Sequence, residues 1–299
     1  MISTAKLVRV GTRQSELALI QTEIIIGKLL EHFPDWKFQV VKIKTKGDRM
    51  EKADLKEIGG KGLFVKEIEE ALLRGEIDFA VHSMKDMPYE IPEGLAIAAV
   101  SEREDPRDVL ISKNKKTLKE LGAHSKIGTS SLRRQVQLKA LRPDLEVIPL
   151  RGNIATRLRR MDELGLDGIV LAAAGLKRLK MESLIAEYFS VCEMVPAAGQ
   201  GALAVETRKE SEFEKLLKKI NHKPTEISIC AEREFMKALG GSCNFPIGAY
   251  ARIEGGKIVL TGMVEKNGMV KKSTTFGDIG NPREVGENLA KLLGDEDGG

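Results

Sequence analysis

Residues 126–164 read KIGTSSLRRQVQLKALRPDLEVIPLRGNIATRLRRMDEL, and the order of residue types in this stretch repeats itself. A short strand, Lys126 to Gly128, enters a turn of small and hydroxyl residues and then a helical stretch carrying Arg133 and Arg134. The apolar run Leu145 to Leu150 does the same. It turns at Arg151-Gly152-Asn153 into a helix that bears Thr156-Arg157 and Arg159-Arg160 and ends near Leu164. Strand, turn and helix in succession are the unit of an α/β sheet. Both turns also open a helix, where N–H groups lack intrahelical partners and the macrodipole is positive. Thr129, Ser130, Ser131 and the arginines at such turns converge on negative charge. From Arg133 to Arg160 there are eight basic residues against two acidic ones, Asp144 and Glu146, so the expected ligand carries many negative charges.

The same alternation extends outward. Leu7 to Val10, Phe38 to Ile43 and Ile77 to Val81 predict strands. Gln14 to Leu30 and Leu63 to Leu73 predict helices, the second entered through Gly59-Gly60-Lys61-Gly62. Thr45 to Gly62 is charged and has no clear period, and it reads as a mobile loop in the position of a lid. Beyond the turn at Asp105-Pro106, Val109 to Ser112 and Gly168 to Ala172 predict further strands of a second α/β region. Pro196 to Gly201 breaks the pattern, and the strand Ala202 to Glu206 is expected to return to the first sheet. The last part changes class: a helix from Glu226 to Leu239, strands at Gly248 to Glu254, Lys257 to Val264 and Met269 to Phe276, and a helix from Arg283 to Leu293 predict a small α+β domain. The expected domains are 1–101 with 197–219, 102–196, and 220–299.

A chain of 299 residues with 42% hydrophobic and 31% charged residues has the make-up of an ordinary globular protein of two or three domains. Its net charge of +4 is mild, so the location of the positive charge carries the meaning. Met1 to Val10 lacks the apolar core of a signal peptide and no run approaches a membrane span, which predicts a cytoplasmic protein without membrane contact. Cys192, Cys230 and Cys243 are too few and too scattered for a disulfide framework or a zinc site. His32, His82, His124 and His222 show no metal-ligand spacing, and no metal is expected. Nucleic acid is disfavoured, because no Phe, Trp or Tyr lies between Ser101 and Glu187 to stack on bases. The loop Gly59-Gly60-Lys61-Gly62 lacks Walker spacing, and no dinucleotide fingerprint follows the first strand. Carboxylates are the anions left.

Ligands of α/β proteins sit outside the carboxyl ends of the strands. There, after the third strand, stands His82-Ser83-Met84-Lys85-Asp86, stopped by Pro88. The pair Lys85-Asp86 reads either as a solvated loop or as an ammonium that grips an anion beside a carboxylate that moves protons or stabilises a cation. Arg13 and Ser15 open the first helix in the same way as the two central turns. Cys243, in Leu239-Gly240-Gly241-Ser242-Cys243-Asn244-Phe245-Pro246, reads either as packing or as a thiol brought out by the glycines. Cys192 and Cys230 read as core residues.

Thr12 to Ser15, Gly59 to Lys66, Val81 to Asp86, Arg103 to Asp108, Gly128 to Arg134, Leu150 to Arg157, Ala174 to Leu179, Pro196 to Ala202 and the cysteine loop follow one another over nearly the whole chain. In that order they resemble the porphobilinogen deaminase, or hydroxymethylbilane synthase, family. The resemblance implies two α/β domains like those of type II periplasmic binding proteins and a small C-terminal α+β domain with a three-stranded antiparallel sheet. It implies a transferase that joins four porphobilinogen molecules head to tail with loss of ammonia. A dipyrromethane cofactor bound through a thioether to Cys243 would prime that chain. On the same ground Asp86 is the catalytic residue, and Lys85, Thr129, Ser131, Arg133 and Arg134 hold the cofactor. Arg13, Ser15, Lys61, Phe64, Ser130, Arg151, Arg157 and Arg178 take the substrate. A monomer that hands its product to uroporphyrinogen III synthase is expected. Ser242 and Asn244 depart from the glycine and glutamine frequent beside the family's cysteine, which bears on loop geometry. The rival reading is a non-catalytic anion receptor, two hinged α/β domains lined with arginine; the cysteine loop and the missing export signal favour the enzyme.

Overall fold

The computed structural model describes residues 6–49, 65–240 and 245–294. Along the chain come β1 (Leu7–Arg13), α1 (Glu16–His32), β2 (Lys37–Ile43), α2 (Lys46–Arg49), α3 (Lys66–Leu73), β3 (Phe79–Ser83), β4 (Leu95–Val100) and β5 (Asp108–Ser112). Next are β6 (Lys126–Gly128), α4 (Leu132–Leu141), β7 (Glu146–Ile148), α5 (Ile154–Glu163), β8 (Gly168–Ala172), α6 (Ala173–Arg178), β9 (Glu187–Tyr188) and β10 (Leu203–Arg208). The remainder is α7 (Glu212–Leu217), α8 (Lys223–Ala238), β11 (Gly248–Glu254), β12 (Lys257–Lys266), β13 (Met269–Asp278) and α9 (Pro282–Gly294).

The chain divides into two compact units, Met1–Arg103 with Ala202–Glu226 and Glu104–Gly201 with Ile227–Gly299. The first holds one sheet in the order β2-β1-β3-β10-β4, with β1 parallel to β2 and β3, and with β10 antiparallel to both β3 and β4. The second unit contains a sheet of the same plan, β7-β6-β8-β5-β9, with β6 parallel to its neighbours and β5 antiparallel to β8 and β9. In each sheet the antiparallel strand in fourth place is the one by which the chain arrives from the other unit. This order, shared by both sheets, is that of the type II periplasmic binding proteins. The second unit also holds the antiparallel sheet β11-β12-β13.

Periodicity explains the layers. Helix α1 begins at the N-cap Ser15, whose side chain accepts a hydrogen bond from Ala18 N–H at 3.3 Å. Its buried Ala18, Thr22, Ile25 and Leu29 form one stripe, which packs with Val8, Val10, Phe79, Val81, Leu203 and Val205 on one face of the first sheet. Helix α3 covers the other face through Ile68, Ala71 and Leu72, against Ile77, Ala80 and Leu95. Strand β5 is buried along its whole length, as its apolar run predicts for an inner strand.

Several expected bounds move. The strand expected over Leu145 to Leu150 is only Glu146–Ile148, because Pro149 has no N–H to continue the ladder. The third strand begins at Phe79 rather than Ile77, since Asp78 is occupied in tying down β1: its carboxylate accepts Arg9 N–H at 2.7 Å. Strand β4 was not foreseen, whereas β10 joins the first sheet as expected. Of the loop expected over Thr45 to Gly62, Lys46–Arg49 forms the short helix α2, and residues 50–62 lie outside those described.

In the third sheet's layer, α9 crosses α8 at Gly286. A β-carbon there would lie 2.5 Å from Ala231 O and 2.7 Å from Phe235 N, both backbone atoms that cannot turn aside. Gly286→Ala is therefore expected to destabilise the second unit by about 1–3 kcal/mol, the range for overpacking. Urea unfolding followed by circular dichroism checks this, and an unchanged midpoint would contradict the crossing.

Candidate active site

At the carboxyl ends of β1 and β3, within the first unit, lies an open pocket of about 520 Å³. Arg13, Ser15, Gln21, His82, Ser83, Lys85 and Asp86 supply its polar lining. Arg13 is the last residue of β1, and Ser15 caps the helix that follows. Lys85 and Asp86 lie in a single 3-10 turn, Met84–Asp86, whose Met84 is buried and whose two charged residues are half-exposed. Met84 N–H donates to Ala202 O at 3.0 Å, and Ser83 exchanges hydrogen bonds with the buried Gln21 at 3.0 and 3.2 Å. The turn is thereby fixed at its root while its carboxylate and ammonium face the pocket. Gln21 is a partner that the sequence did not point out, being, like Thr22, a polar residue buried in a helix stripe that is otherwise apolar.

Beneath the pocket the sheet carries charge in its interior. His82 Nε2 lies 3.1 Å from Glu206 Oε2, with the two side chains 3% and 0% exposed. Glu69, from α3, is also buried, and its carboxyl is pushed up to about 7, first by burial and then by the charge of Glu206, against the opposing pull of His82. An acid held above its unfolded value keeps a proton that the unfolded chain has released. Stability from this group therefore falls as pH rises from about 4.5 to about 7.

In the second unit, Thr129, Ser130 and Ser131 form the turn into α4. Thr129 Oγ1 accepts Ser131 N–H at 3.2 Å, Ser131 is the N-cap, and the buried Ser130 Oγ has no hydrogen-bond partner. Arg133 and Arg134 do not point out of the first turn as free ligands; both turn inward onto Asp108. Arg133 Nη1 lies 2.6 Å from Oδ2, and Arg134 Nη2 2.7 Å from Oδ1. Arg133 also donates to Val195 O and Arg134 to Val170 O, while Gln200 Nε2 donates to Asp108 Oδ1 at 2.9 Å. Burial alone would push the Asp108 carboxyl up, yet the two guanidinium charges hold it well below the usual carboxylate range. Two guanidiniums on one carboxylate leave the α4 N-terminus with an excess positive charge. Sequence reasoning gave Asp108 no role; it stood only at the end of the segment Arg103 to Asp108 and at the head of an apolar strand.

Asn153 caps α5 by accepting Thr156 N–H at 2.8 Å, and Gly152 (φ +111°) makes the turn that lets Arg157 Nε donate to Gly152 O at 2.7 Å. Arg151 is half-buried beside them. Arg178 closes α6, donates to Gly201 O at 2.6 Å, and is lowered from the ordinary arginine value by burial. Lys61, Phe64 and Cys243 lie outside the described residues.

The family profile "Porphobilinogen deaminase, dipyromethane cofactor binding domain" matches residues 8–215, and "Porphobilinogen deaminase, C-terminal domain" matches residues 227–295. Curated relatives named porphobilinogen deaminase span almost the whole chain. That of Alkaliphilus metalliredigens is 48% identical over 96% of this chain and 92% of its own, and that of Brevibacillus brevis is 49% identical over 95% and 93%. That of Clostridium acetobutylicum is 47% identical over 96% and 99%. The chain belongs to the porphobilinogen deaminase family.

The profile over residues 8–215 is that of a dipyromethane cofactor binding domain, and the turn into α4 in the second unit fits a carboxylate-bearing group of that kind. Ser130 Oγ is a buried hydroxyl with a hydrogen bond to spare, beside the excess positive charge at α4. Among the described residues no cluster of His, Cys, Asp and Glu could hold a metal ion, and no helix is long and apolar enough to cross a membrane.

Proposed function

We propose that this chain condenses four porphobilinogen molecules onto a dipyrromethane primer carried by Cys243 and releases hydroxymethylbilane. The observation that carries the reading is the near-complete match to porphobilinogen deaminases, together with a lysine and an aspartate presented by one fixed turn in an open pocket. When bound, the primer supplies the free pyrrole α-carbon that is extended. Arg13 binds the carboxylates of the incoming pyrrole, Lys85 those of the cofactor beside it, and Ser15 sets the helix terminus that adds its dipole. Asp86 holds the aminomethyl group as its ammonium, so that ammonia departs from the substrate. The same carboxylate then faces the delocalised pyrrole cation that remains. Once the new carbon–carbon bond has formed, Asp86 accepts the proton lost from the α-carbon. Four such rounds release four ammonia molecules, and one water frees the product.

A chain of six rings carries about twelve carboxylates, for which planar guanidinium forks are the matching partners. Arg151, Arg157 and Arg178, with Thr129, Ser130 and Ser131, take these in the second unit, where Arg133 and Arg134, bound to Asp108, add their positive charge from beneath the turn, and Lys61 and Phe64 act with the substrate. Three functional domains, 1–101 with 197–219, 102–196 and 220–299, divide the work between the catalytic turn, the anion-binding turns and the cofactor cysteine. The enzyme acts as a cytoplasmic monomer. Its product bears a hydroxymethyl group on an electron-rich pyrrole, which ionises readily, so direct hand-over to uroporphyrinogen III synthase protects it.

Intact-protein mass spectrometry tests the proposal. The purified chain is expected to exceed its translated mass by two substrate-derived pyrrole units, and Cys243→Ser to lack the increment and to lose turnover of porphobilinogen. An anion receptor would show neither the added mass nor ammonia release.

A further inference from the structure

The buried charges behind the pocket have no part in the chemistry above. Strands β3 and β10 pair antiparallel, with Ala204 opposite His82 and Glu206 opposite Ala80. Residues opposite and two apart share a face, so His82 and Glu206 project together towards the layer formed by α3. Glu69 of α3 is buried in that layer, 7% exposed, and its carboxyl feels the charges of Glu206 and His82. Neither oxygen of Glu206 accepts an aligned hydrogen bond, and Oε1 of Glu69 is also without one. Buried carboxylates in that state need a proton or a cation close by. Among the described residues, the cations on the neighbouring elements are committed elsewhere or belong to the pocket. Arg9 of β1 pairs with Asp78 at 2.9 Å, and Arg208 of β10 donates to Leu72 O and Ile77 O. Arg13 and Lys85 line the pocket, and β4 carries no charged residue. On α3 itself, Lys66 is exposed, Glu67 accepts from Lys46 N–H, and Glu70 lies 3.7 Å from Arg74. The imidazole of His82 is thus the base shared by two buried acids.

We propose that Glu69, His82 and Glu206 form a proton-holding cluster whose charge state positions the Ser83–Asp86 turn, making all three positioning residues for the reaction inferred above. His82 immediately precedes Ser83, which is bound to Gln21 of α1 on the opposite face. The strand end that delivers Lys85 and Asp86 is therefore gripped on both sides, by neutral hydrogen bonds on one and by charge on the other. Releasing a proton from Glu69 sets two carboxylates against one imidazole and repels α3 from the strand. The carboxyl of Glu69, held up at about 7, places that release near neutral pH.

The positioning role rests on the family reaction, while the cluster stands on geometry, and the test separates them. In the cofactor-loaded enzyme with 15N-labelled histidine, the His82 ring resonance, assigned with H82Q, is expected to respond to the proton release at Glu69, and E69Q to abolish that response. In steady-state assays from pH 6 to 9, kcat is expected to show an inflection near pH 7 that E69Q removes, with KM for porphobilinogen within about twofold. H82Q is expected to lower kcat about tenfold or more at constant KM, the pattern of a misplaced catalytic group. A ring titration in E69Q that superimposes on wild type overturns the cluster. An altered ring titration with an unchanged kcat profile overturns the positioning role. If the wild-type enzyme consumes no porphobilinogen, the family reaction has failed, and the ring titration alone still decides whether the three groups share protons.

Discussion

Asp86→Asn should lower kcat for porphobilinogen consumption by about 10²- to 10⁴-fold, with the melting temperature within about 2 °C of wild type. Asparagine fills the same volume in the 3-10 turn, and the turn is anchored by Met84 and Ser83 rather than by the carboxylate, so folding is spared. What disappears is the one negative charge that can hold an ammonium, face a pyrrole cation and accept a proton in turn. Asparagine does none of these. Electrostatic groups aimed at developing charge are worth this much because they are already in place when the charge appears. Steady-state ammonia release from protein whose mass confirms the cofactor increment is the measurement. Turnover like that of wild type would remove Asp86 from the mechanism.

Asp108→Ala should destabilise the second unit by about 3–5 kcal/mol, the range for breaking a buried ion pair from one side. Its carboxylate is fully buried and receives Arg133, Arg134 and Gln200; without it two guanidiniums remain in the interior with only carbonyl acceptors. The sign with pH follows from the direction of the shift. Asp108 is held below its unfolded value, so its stabilisation is complete above about pH 4 and is lost as pH falls through the folded value. Urea unfolding at pH 7 and pH 3 should therefore show the gap between wild type and variant narrowing at the lower pH. A gap that is the same at both would mean that the contribution of Asp108 is not electrostatic.

Much of this architecture could be read from residue order, for identifiable reasons. Gly168–Ala172 and Lys126–Gly128 are bounded by turn residues and appear as strands with those limits. The return of the chain at Ala202 was legible because Pro196 to Gly201 interrupts the pattern before an apolar run. Strand β4 was not, since Leu95-Ala96-Ile97-Ala98-Ala99-Val100 has neither alternation nor a distinctive flank, and only pairing with β10 makes it a strand. At the site, hydroxyl and arginine positions after strands were visible, because helix openings have a local signature. The destination of Arg133 and Arg134 was not, because Asp108 lies 25 and 26 residues away and its buried role depends on tertiary contact. The same holds for His82, which met Glu206 from far along the chain.

The place of β10 between β3 and β4 has a consequence for synthesis. A nascent chain that has emerged through Arg103 contains the four other strands of its first sheet but leaves a gap between β3 and β4, where β10 belongs. Residues 104–201 must be translated before that gap is filled, an interval of about 5–20 s at ordinary elongation rates. Meanwhile β3 exposes a bare edge, the kind of template that invites wrong partners. Fragments ending near Arg103 should thus be clients for chaperones, and the Ser83–Asp86 turn gains its backbone anchor, Met84 N–H to Ala202 O, only after that interval.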